Sequence, residues 1–528
     1  MTARRVLSGV LFGLMLGGSA LGEGREAKVD AVLNSPGYQG AHWGLLVVDA
    51  SSGTVVYERN ADQLFCPASV TKVFSGSAAL ADLGADYRFL TPVVRRGEIR
   101  SDGTLRGDLI LVAQGDLSLG GRTGPDGSLL FENHDHTYAG GNLEGAIVPC
   151  DPLAGLDHLA REVVGSGIKV ITGDVLIDDR LFEPASSSGS GPARVSPILV
   201  NDNLVDIVIT PATEAGEPAA VKTVPATSFV TMDAAVETVG KDEAPRISVR
   251  SVGPRRFTVR GKLPVGHTPV VKVYEVEEPS AFARALFIET LRRRGVRVAA
   301  SPIGTNQDDK LPSRDAVKAL PQVGEYTSPP FREYLRVILK VSHNLHASTL
   351  PLLIAAHHGE RTLDEGLYRE GLFLKSVGVE VGTISFGGGA GGERADLVTP
   401  RATVTLLRAM AKRADFPAFE AALPVLGRDG TLEKAVSPDS PVRGHAHAKT
   451  GTYWVDNPLT GKTVLTSKAL AGYMETASGR TLVFAFFVNN APMDANPDQT
   501  TDATTAAGRL LGKLCEVFYA SDSGADAR

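Results

Sequence analysis

The sequence predicts an α/β (α+β) protein in which a body shared by the two ends of the chain is interrupted by a mostly-β zone. Three observations carry this prediction. Residues 41–58 alternate in polarity and break at Ser51-Ser52-Gly53, a hairpin signature. Helical periodicity occupies 69–84 and returns at 280–294, 331–340, 344–357 and 399–412. Between them, from about 93 to 272, the texture changes to short β-branched runs cut by Gly, Pro and Asp.

Taken in order, the chain begins with an address. Arg4 and Arg5 precede the apolar run Val6 to Leu16, and small residues Gly17 to Gly22 follow it. A charged start, a short apolar stretch and an Ala-x-Gly end predict a signal peptide over 1–22. The run is too short and too Gly-rich to span a membrane, and no later stretch reaches ~18 apolar residues. The expectation is a soluble exported protein of the periplasm or cell-wall space, with no integral membrane span after signal cleavage. The helix over 69–84 starts after Pro67 and closes at Gly84. Within the middle zone, 107–112, 173–178 and 205–210 read as strands, and Gly120 to Gly145 reads as an exposed loop. Strands return at 468–474 and 481–488, and Leu510, Leu511, Leu514 and Phe518 fall at helical spacing with Cys515 in a core. The expected division is a signal peptide (1–22), a discontinuous body (23–92 and 273–520), an insert of two small β domains (93–272) and a disordered tail (521–528).

Length and composition agree. At about 150 residues per domain, 528 residues imply two to four domains. Hydrophobic residues at 43% and charged residues at 22% exclude collagen, long coiled coil and wholesale disorder. The formal charge of −6 and the lack of a Lys/Arg-rich block exclude a nucleic-acid binder. Cys66, Cys150 and Cys515 allow at most one intramolecular disulfide, whose pairing the sequence leaves open.

Ser69-Val70-Thr71-Lys72 is an S-x-x-K tetrad at a helix start. One turn separates the hydroxyl from the ammonium, so both lie on one face. The helix N-terminus favours developing negative charge on Ser69, and a lysine in a dry site can serve as its base. Alone the tetrad is common. Ser342-His343-Asn344 adds an S-x-N triplet between two helices, and Lys449-Thr450-Gly451-Thr452 adds K-T-G ahead of the final strands. In this order the three are the signature of penicillin-binding proteins and serine β-lactamases.

With these motifs the chain resembles the D-alanyl-D-alanine carboxypeptidase/endopeptidase family, the low-molecular-mass class C penicillin-binding proteins. Tyr87 to Thr91, Gly107-Asp108-Leu109 with Gly115-Asp116, Gly173-Asp174-Val175 with Asp178-Asp179, Asn201-Asp202-Asn203 and Val398-Thr399-Pro400 look like further landmarks of that family. The resemblance implies a penicillin-binding-protein/β-lactamase-like transpeptidase domain with inserted β domains. It implies a serine peptidase that cuts peptidoglycan stem peptides through an acyl-enzyme and is acylated by β-lactams. In that mechanism Ser69 attacks, Lys72 removes its proton, and Ser342 relays a proton to the leaving amine. Asn344 orients the substrate, Lys449 and Thr450 hold its carboxylate, and Gly451 completes the strand motif. The N–H groups of Ser69 and Thr452 form the oxyanion hole. No metal or organic cofactor is expected. Carboxypeptidase versus endopeptidase balance and oligomeric state stay open.

Two departures stand out. His343 occupies a place where Asp or Asn is usual, and Phe386-Gly387-Gly388-Gly389-Ala390 replaces an Asp-Gly-Ser-Gly-Leu pattern. Other features are weighed as decoys. The G-x-G-x-x-G of Gly387, Gly389 and Gly392 lacks a βαβ context. His445-Ala446-His447 reads as strand rather than metal site, and His134-Asp135-His136 as solvated surface. His346 reads as packed on its helix. The alternatives are a non-catalytic wall-binding scaffold on the same fold and a serine β-lactamase, which would need a placed Glu for deacylation. Two further expectations follow: the middle zone is separable from catalysis, and Lys72 works as a neutral amine.

Overall fold

The computed structural model describes residues 17–140, 145–493 and 500–520. Residues 1–16 of the expected signal peptide, 141–144 of the expected loop and the tail 521–528 lie outside the described residues, while Gly17 to Gly22 open helix α1 (Gly17–Leu33).

The two ends of the chain meet in one sheet. Strands β1 (His42–Asp49) and β2 (Val55–Arg59) form the expected hairpin. They join β3 (Ala446–Asn457), β4 (Lys462–Glu475) and β5 (Thr481–Met493) in the antiparallel order β3-β4-β5-β1-β2. Successive residues of a strand point to opposite faces. Leu46 and Val48 therefore enter one core with Ala485 and Phe487, while Leu45 and Val47 enter another with Phe484 and Phe486. Both faces are covered, and that explains the unbroken apolar run of β1. Helices α2 (Thr71–Leu83), α3 (Phe331–Lys340), α4 (Asn344–His357), α5 (Leu363–Ser376) and α6 (Pro400–Met410) supply residues to the first core. On the other face α1 packs with α7 (Thr500–Ala520), through Val29, Leu33, Leu514 and Cys515. All three cysteines are free thiols. Among the described residues no helix is long and apolar enough to cross a membrane.

The middle of the chain builds its own core from a six-stranded sheet and two three-stranded sheets. It is less purely β than its texture predicts. Ala154–Gly165 is a helix whose Leu156, Leu159, Ala160 and Val163 form a buried stripe. Its reach also exceeds the expected boundary at 272/273. Helix Pro279–Arg293 fills the same core, Arg297–Val298 pairs with Val170–Ile171, and Gln322–Thr327 pairs with Leu90–Ile99. The Asn201-Asp202-Asn203 landmark forms a turn in which all three residues have positive φ.

Phe65 ties the sheet to the segment that precedes α2. Its ring stacks on Phe487 at 5.8 Å and on His42 at 4.3 Å, and a Cβ on Gly44 would lie 2.3 Å from it. Phe487 is wholly buried. Phe487→Ala should therefore cost about 3–5 kcal/mol through the cavity it leaves. Urea denaturation should record this as a lower midpoint at unchanged slope; a midpoint equal to wild type would contradict the packing.

Candidate active site

Ser69 lies in a single 3-10 turn, Ala68–Val70, and the regular helix α2 starts only at Thr71. The turn is held from several sides. Cys66 N–H donates to Asn489 Oδ1 on β5 at 2.8 Å, and Ser467 Oγ on β4 donates to Cys66 O at 2.7 Å. Ala68 has a left-handed φ of +46°, unusual for a residue with a side chain and a mark of local strain. Two glycines let neighbouring segments close on it. A Cβ on Gly451 of β3 would fall 2.3 Å from Pro67 O, and one on Gly391 would fall 1.9 Å from Ala68 O.

Lys72, the second residue of α2 and one turn on from Ser69, is fully buried. Its Nζ lies 2.9 Å from Ser69 Oγ, 2.7 Å from Asn344 Oδ1 and 2.7 Å from Ala390 O. Burial lowers its pKa to about 7, although the charge of Asp396 acts in the opposite sense. The three neighbours then assign the hydrogens. Two are carbonyl oxygens, which can only accept. A neutral amine has two N–H groups, and these go to Asn344 and Ala390. In that neutral form the lone pair is left facing Ser69 Oγ and the hydroxyl can donate to it, whereas the protonated lysine donates to Ser69 Oγ. The neutral form can take a proton from the serine as it attacks a carbonyl carbon.

The Gly-rich stretch does by backbone what side chains do elsewhere. Ala390 O accepts from Lys72, and Gly389 O accepts from Ser75 Oγ at 2.8 Å. Asp396, absent from the sequence-based assignment, receives the N–H groups of Gly387 and Glu393 at 2.9 and 2.8 Å. Burial pushes its pKa up to about 6, near that of the lysine it faces.

Ser342 and Asn344 bracket the start of α4. Ser342 is 7% exposed and holds a left-handed φ of +62°. Asn344 Oδ1 serves Lys72, and its Nδ2 donates to Ser190 Oγ at 2.9 Å. Tyr138 O–H reaches the carbonyls of Val341 and Ser342 at 3.1 and 3.0 Å. Ser190 and Tyr138 belong to the middle zone, so the zone touches the site directly. The expectation of a separable insert does not fit this geometry.

On β3, Lys449 is fully buried and donates to Thr450 O at 2.9 Å. Burial, together with the charges of Lys72 and Lys468, holds its pKa well below the usual lysine range. Lys468 on β4 donates to Thr452 Oγ1 at 2.8 Å, and burial lowers it to about 8. Thr450 Oγ1 donates to Thr431 Oγ1 at 2.7 Å. The structure thus brings Ser69, Lys72 and Asn344 into hydrogen-bond contact, with Ser342 two residues before Asn344 in the same turn and Gly451 of the Lys449–Thr452 strand against the serine turn. Lys468 and Asp396 are the charged groups that motif reading missed. Neither sits in a motif, and only an unpaired Lys or Asp in a strand or turn context marked them.

Asp135 and His136 are buried, which corrects their reading as solvated surface. Polarity misled here because the groups are paired with one another rather than with water. Among the described residues two groups place metal-ligating atoms together: Asp82 with His357 and His358, and Asp202 with His343 and His346. The second already has the Arg122 guanidinium 3.2 Å from His343 Nε2, which repels a metal cation. The first lies at the far end of α2 from Ser69.

Comparison with known proteins follows the same lines. The family model described as the D-Ala-D-Ala carboxypeptidase 3 (S13) family matches residues 25–510. A D-alanyl-D-alanine carboxypeptidase of Actinomadura sp. (strain R39) is 30% identical over 520 residues, spanning 92% of this chain and 84% of that relative. D-alanyl-D-alanine carboxypeptidase DacB of Haemophilus influenzae is 24% identical over 470 residues, spanning 85% of this chain and 86% of that relative. The crystal structure of penicillin binding protein 4 (dacB) from Haemophilus influenzae is similar in fold, with a TM-score of 0.68 at 22% identity over 92% of this chain and 99% of that one. The expected penicillin-binding-protein-like α/β fold is thus borne out.

The Lys72 geometry makes a pH prediction. A group whose pKa is lowered to about 7 gains its free amine as pH rises through that value. Acylation of Ser69 by a penicillin should therefore rise across pH 6–8 rather than near ~10.4, the value of a solvated lysine. Lys72→Arg should abolish the rise, because a guanidinium keeps its proton. Stopped-flow acylation rates for both proteins across this range are the check, and wild-type rates in the arginine variant would exclude Lys72 as the base.

Proposed function

The chain belongs to the D-Ala-D-Ala carboxypeptidase 3 (S13) family, and from this premise we propose that it is an exported serine-type D-Ala-D-Ala carboxypeptidase, with endopeptidase action on cross-links, that acts on peptidoglycan stem peptides. The observation that supports it best is the buried Lys72 Nζ 2.9 Å from Ser69 Oγ, with its pKa lowered to about 7. Ser69 attacks the carbonyl of the penultimate D-alanine, and Lys72 accepts the proton. The N–H groups of Ser69 and Thr452 stabilise the oxyanion. Ser342 passes a proton to the leaving amine of the terminal D-alanine, and water then hydrolyses the ester at Ser69.

Substrate charge fits the pocket. Lys72, Lys449 and Lys468 are buried together, and like charges disfavour one another there. A C-terminal carboxylate next to Lys449 and Thr450 supplies the missing negative charge and favours the protonated form of Lys449. β-Lactams carry a carboxylate at the corresponding place, in keeping with the related Haemophilus penicillin binding protein 4, whose structure has been solved with a β-lactam bound. The signal-like N-terminus and the wall substrate favour a periplasmic or cell-wall location.

The test is covalent labelling. Fluorescent penicillin should label the wild-type protein durably, and mass spectrometry should place the adduct on Ser69. Ser69→Ala should lose both the label and the release of D-alanine from a peptide ending in D-Ala-D-Ala, while keeping the thermal midpoint. An adduct on another residue would overturn the assignment. Rapid loss of label would indicate a β-lactamase, and no label would indicate a scaffold.

A further inference from the structure

Behind the Ser342-His343-Asn344 turn lies a buried cluster that the proposed reaction does not use. It contains Arg122, Asp135, His136, Asp202, Asp206, His343 and His346, each no more than 5% exposed. Five of the seven come from the middle zone, and the two histidines of the turn come from the body.

The distances determine where the hydrogens are. Arg122 Nη2 has two hydrogens, and carboxylates take both: Asp135 Oδ2 at 2.7 Å and Asp202 Oδ2 at 2.6 Å. His343 Nε2, 3.2 Å from the same nitrogen, therefore receives nothing from it. His343 Nδ1 accepts the N–H of His346 at 3.3 Å and so caps α4. A neutral imidazole with an accepting Nδ1 carries its hydrogen on Nε2, which faces Asp202 Oδ1 at 3.5 Å. His346 repeats the pattern: its Nε2 lies 2.7 Å from Asp202 Oδ1, and its Nδ1 has no partner among the described residues. Burial lowers His346 to about 4, so it stays neutral. The two rings stack at 3.6 Å. His136 differs because both its nitrogens meet carboxylates, Asp206 at 2.7 Å and Asp202 at 2.8 Å. Burial alone would lower its pKa, but these partners raise it to about 10.

We propose that Asp202 is a positioning residue for the acylation site: its Oδ1, facing His343 Nε2, favours the Nε2–H tautomer of His343, whose bare Nδ1 caps α4 and thereby holds Ser342 in its left-handed turn and Asn344 against Lys72. Asp202 Oδ2 joins this cap to Arg122 and His136, so the middle zone sets the geometry of the catalytic turn. Asparagine cannot replace it. One carboxylate here accepts from Arg122, His136 and His346, whereas an amide would turn an NH2 group towards one of these donors. Asparagine at 343, in contrast, keeps an acceptor for the His346 N–H without any tautomer to fix.

This inference rests on the assignment of Ser69 and the Ser-His-Asn turn to acylation, and the experiment separates the two. Acylation by a fluorescent penicillin is measured over a range of concentrations, giving the binding constant and the limiting rate for wild type, Ser69→Ala, Asp202→Asn, His343→Leu and His343→Asn. A small misplacement of reacting groups costs about 100-fold in rate. His343→Leu and Asp202→Asn should lose about that in the limiting rate while the binding constant stays within about threefold, and His343→Asn should recover most of the loss. Should Asp202→Asn fail to fold, the His343 pair decides, because both variants keep the pairings of Asp202 with Arg122, His136 and His346. Equal limiting rates for His343→Leu and His343→Asn would overturn the proposal, as would losses confined to the binding constant. Labelling of Ser69→Ala would instead overturn the assignment of the nucleophile.

Discussion

The site depends on where three oxygen atoms stand around one nitrogen. Lys72 Nζ is enclosed by Ser69 Oγ, Asn344 Oδ1 and Ala390 O, and water is excluded. Remove the burial and the amine becomes an ammonium with no lone pair to offer. Remove either carbonyl and an N–H group can turn towards the serine, which then faces a donor instead of a base. The fold serves this arrangement: one helix carries the lysine and the serine turn, another carries the asparagine, and a glycine-rich loop brings the backbone carbonyl.

This explains how the Gly-rich stretch serves the site without a functional side chain at residue 390. The bond from Lys72 goes to a main-chain oxygen, so residue 390 needs no functional side chain. Its neighbours do need to be small. Gly389 and Gly391 lie so near Ala347 O and Ala68 O that a Cβ would fall 2.2 and 1.9 Å from them. An acidic group stands nearby in Asp396, tied to the same loop through the N–H of Gly387.

Much of this was legible in the sequence. The helices at 331–340 and 344–357 have the expected bounds: the first lays an apolar stripe on a large core, and the second is buried in it on every side from Leu345 to Ala355. The three motifs were legible because each is a short local pattern whose spacing is fixed by a helix or strand. What stayed hidden is the set of partners that are remote in the chain. Lys72 and Ala390 are 318 residues apart, and His346 and Asp202 are 144 apart. A backbone carbonyl has no residue type to betray it. Arg122, Asp135 and His136 carry the composition of a surface loop, and only their mutual pairing lets them be buried. The insert was recognised by its texture, but texture says nothing about which of its residues reach Asn344.

The sheet that joins the two ends of the chain also sets a timetable for its birth. His42 of β1 lies opposite Asn489 of β5, and the same Asn489 holds the backbone of Cys66 just before the Ser69 turn. A ribosome adds about 5–20 residues per second, so on the order of 20 to 90 s separate the making of these two positions. Throughout that interval the first strands wait without their neighbour, while local pairings such as Val93 with Leu111 can already close. The turn that carries Ser69 gains its support only when the last strand is delivered, and an unfinished polypeptide therefore lacks the finished site.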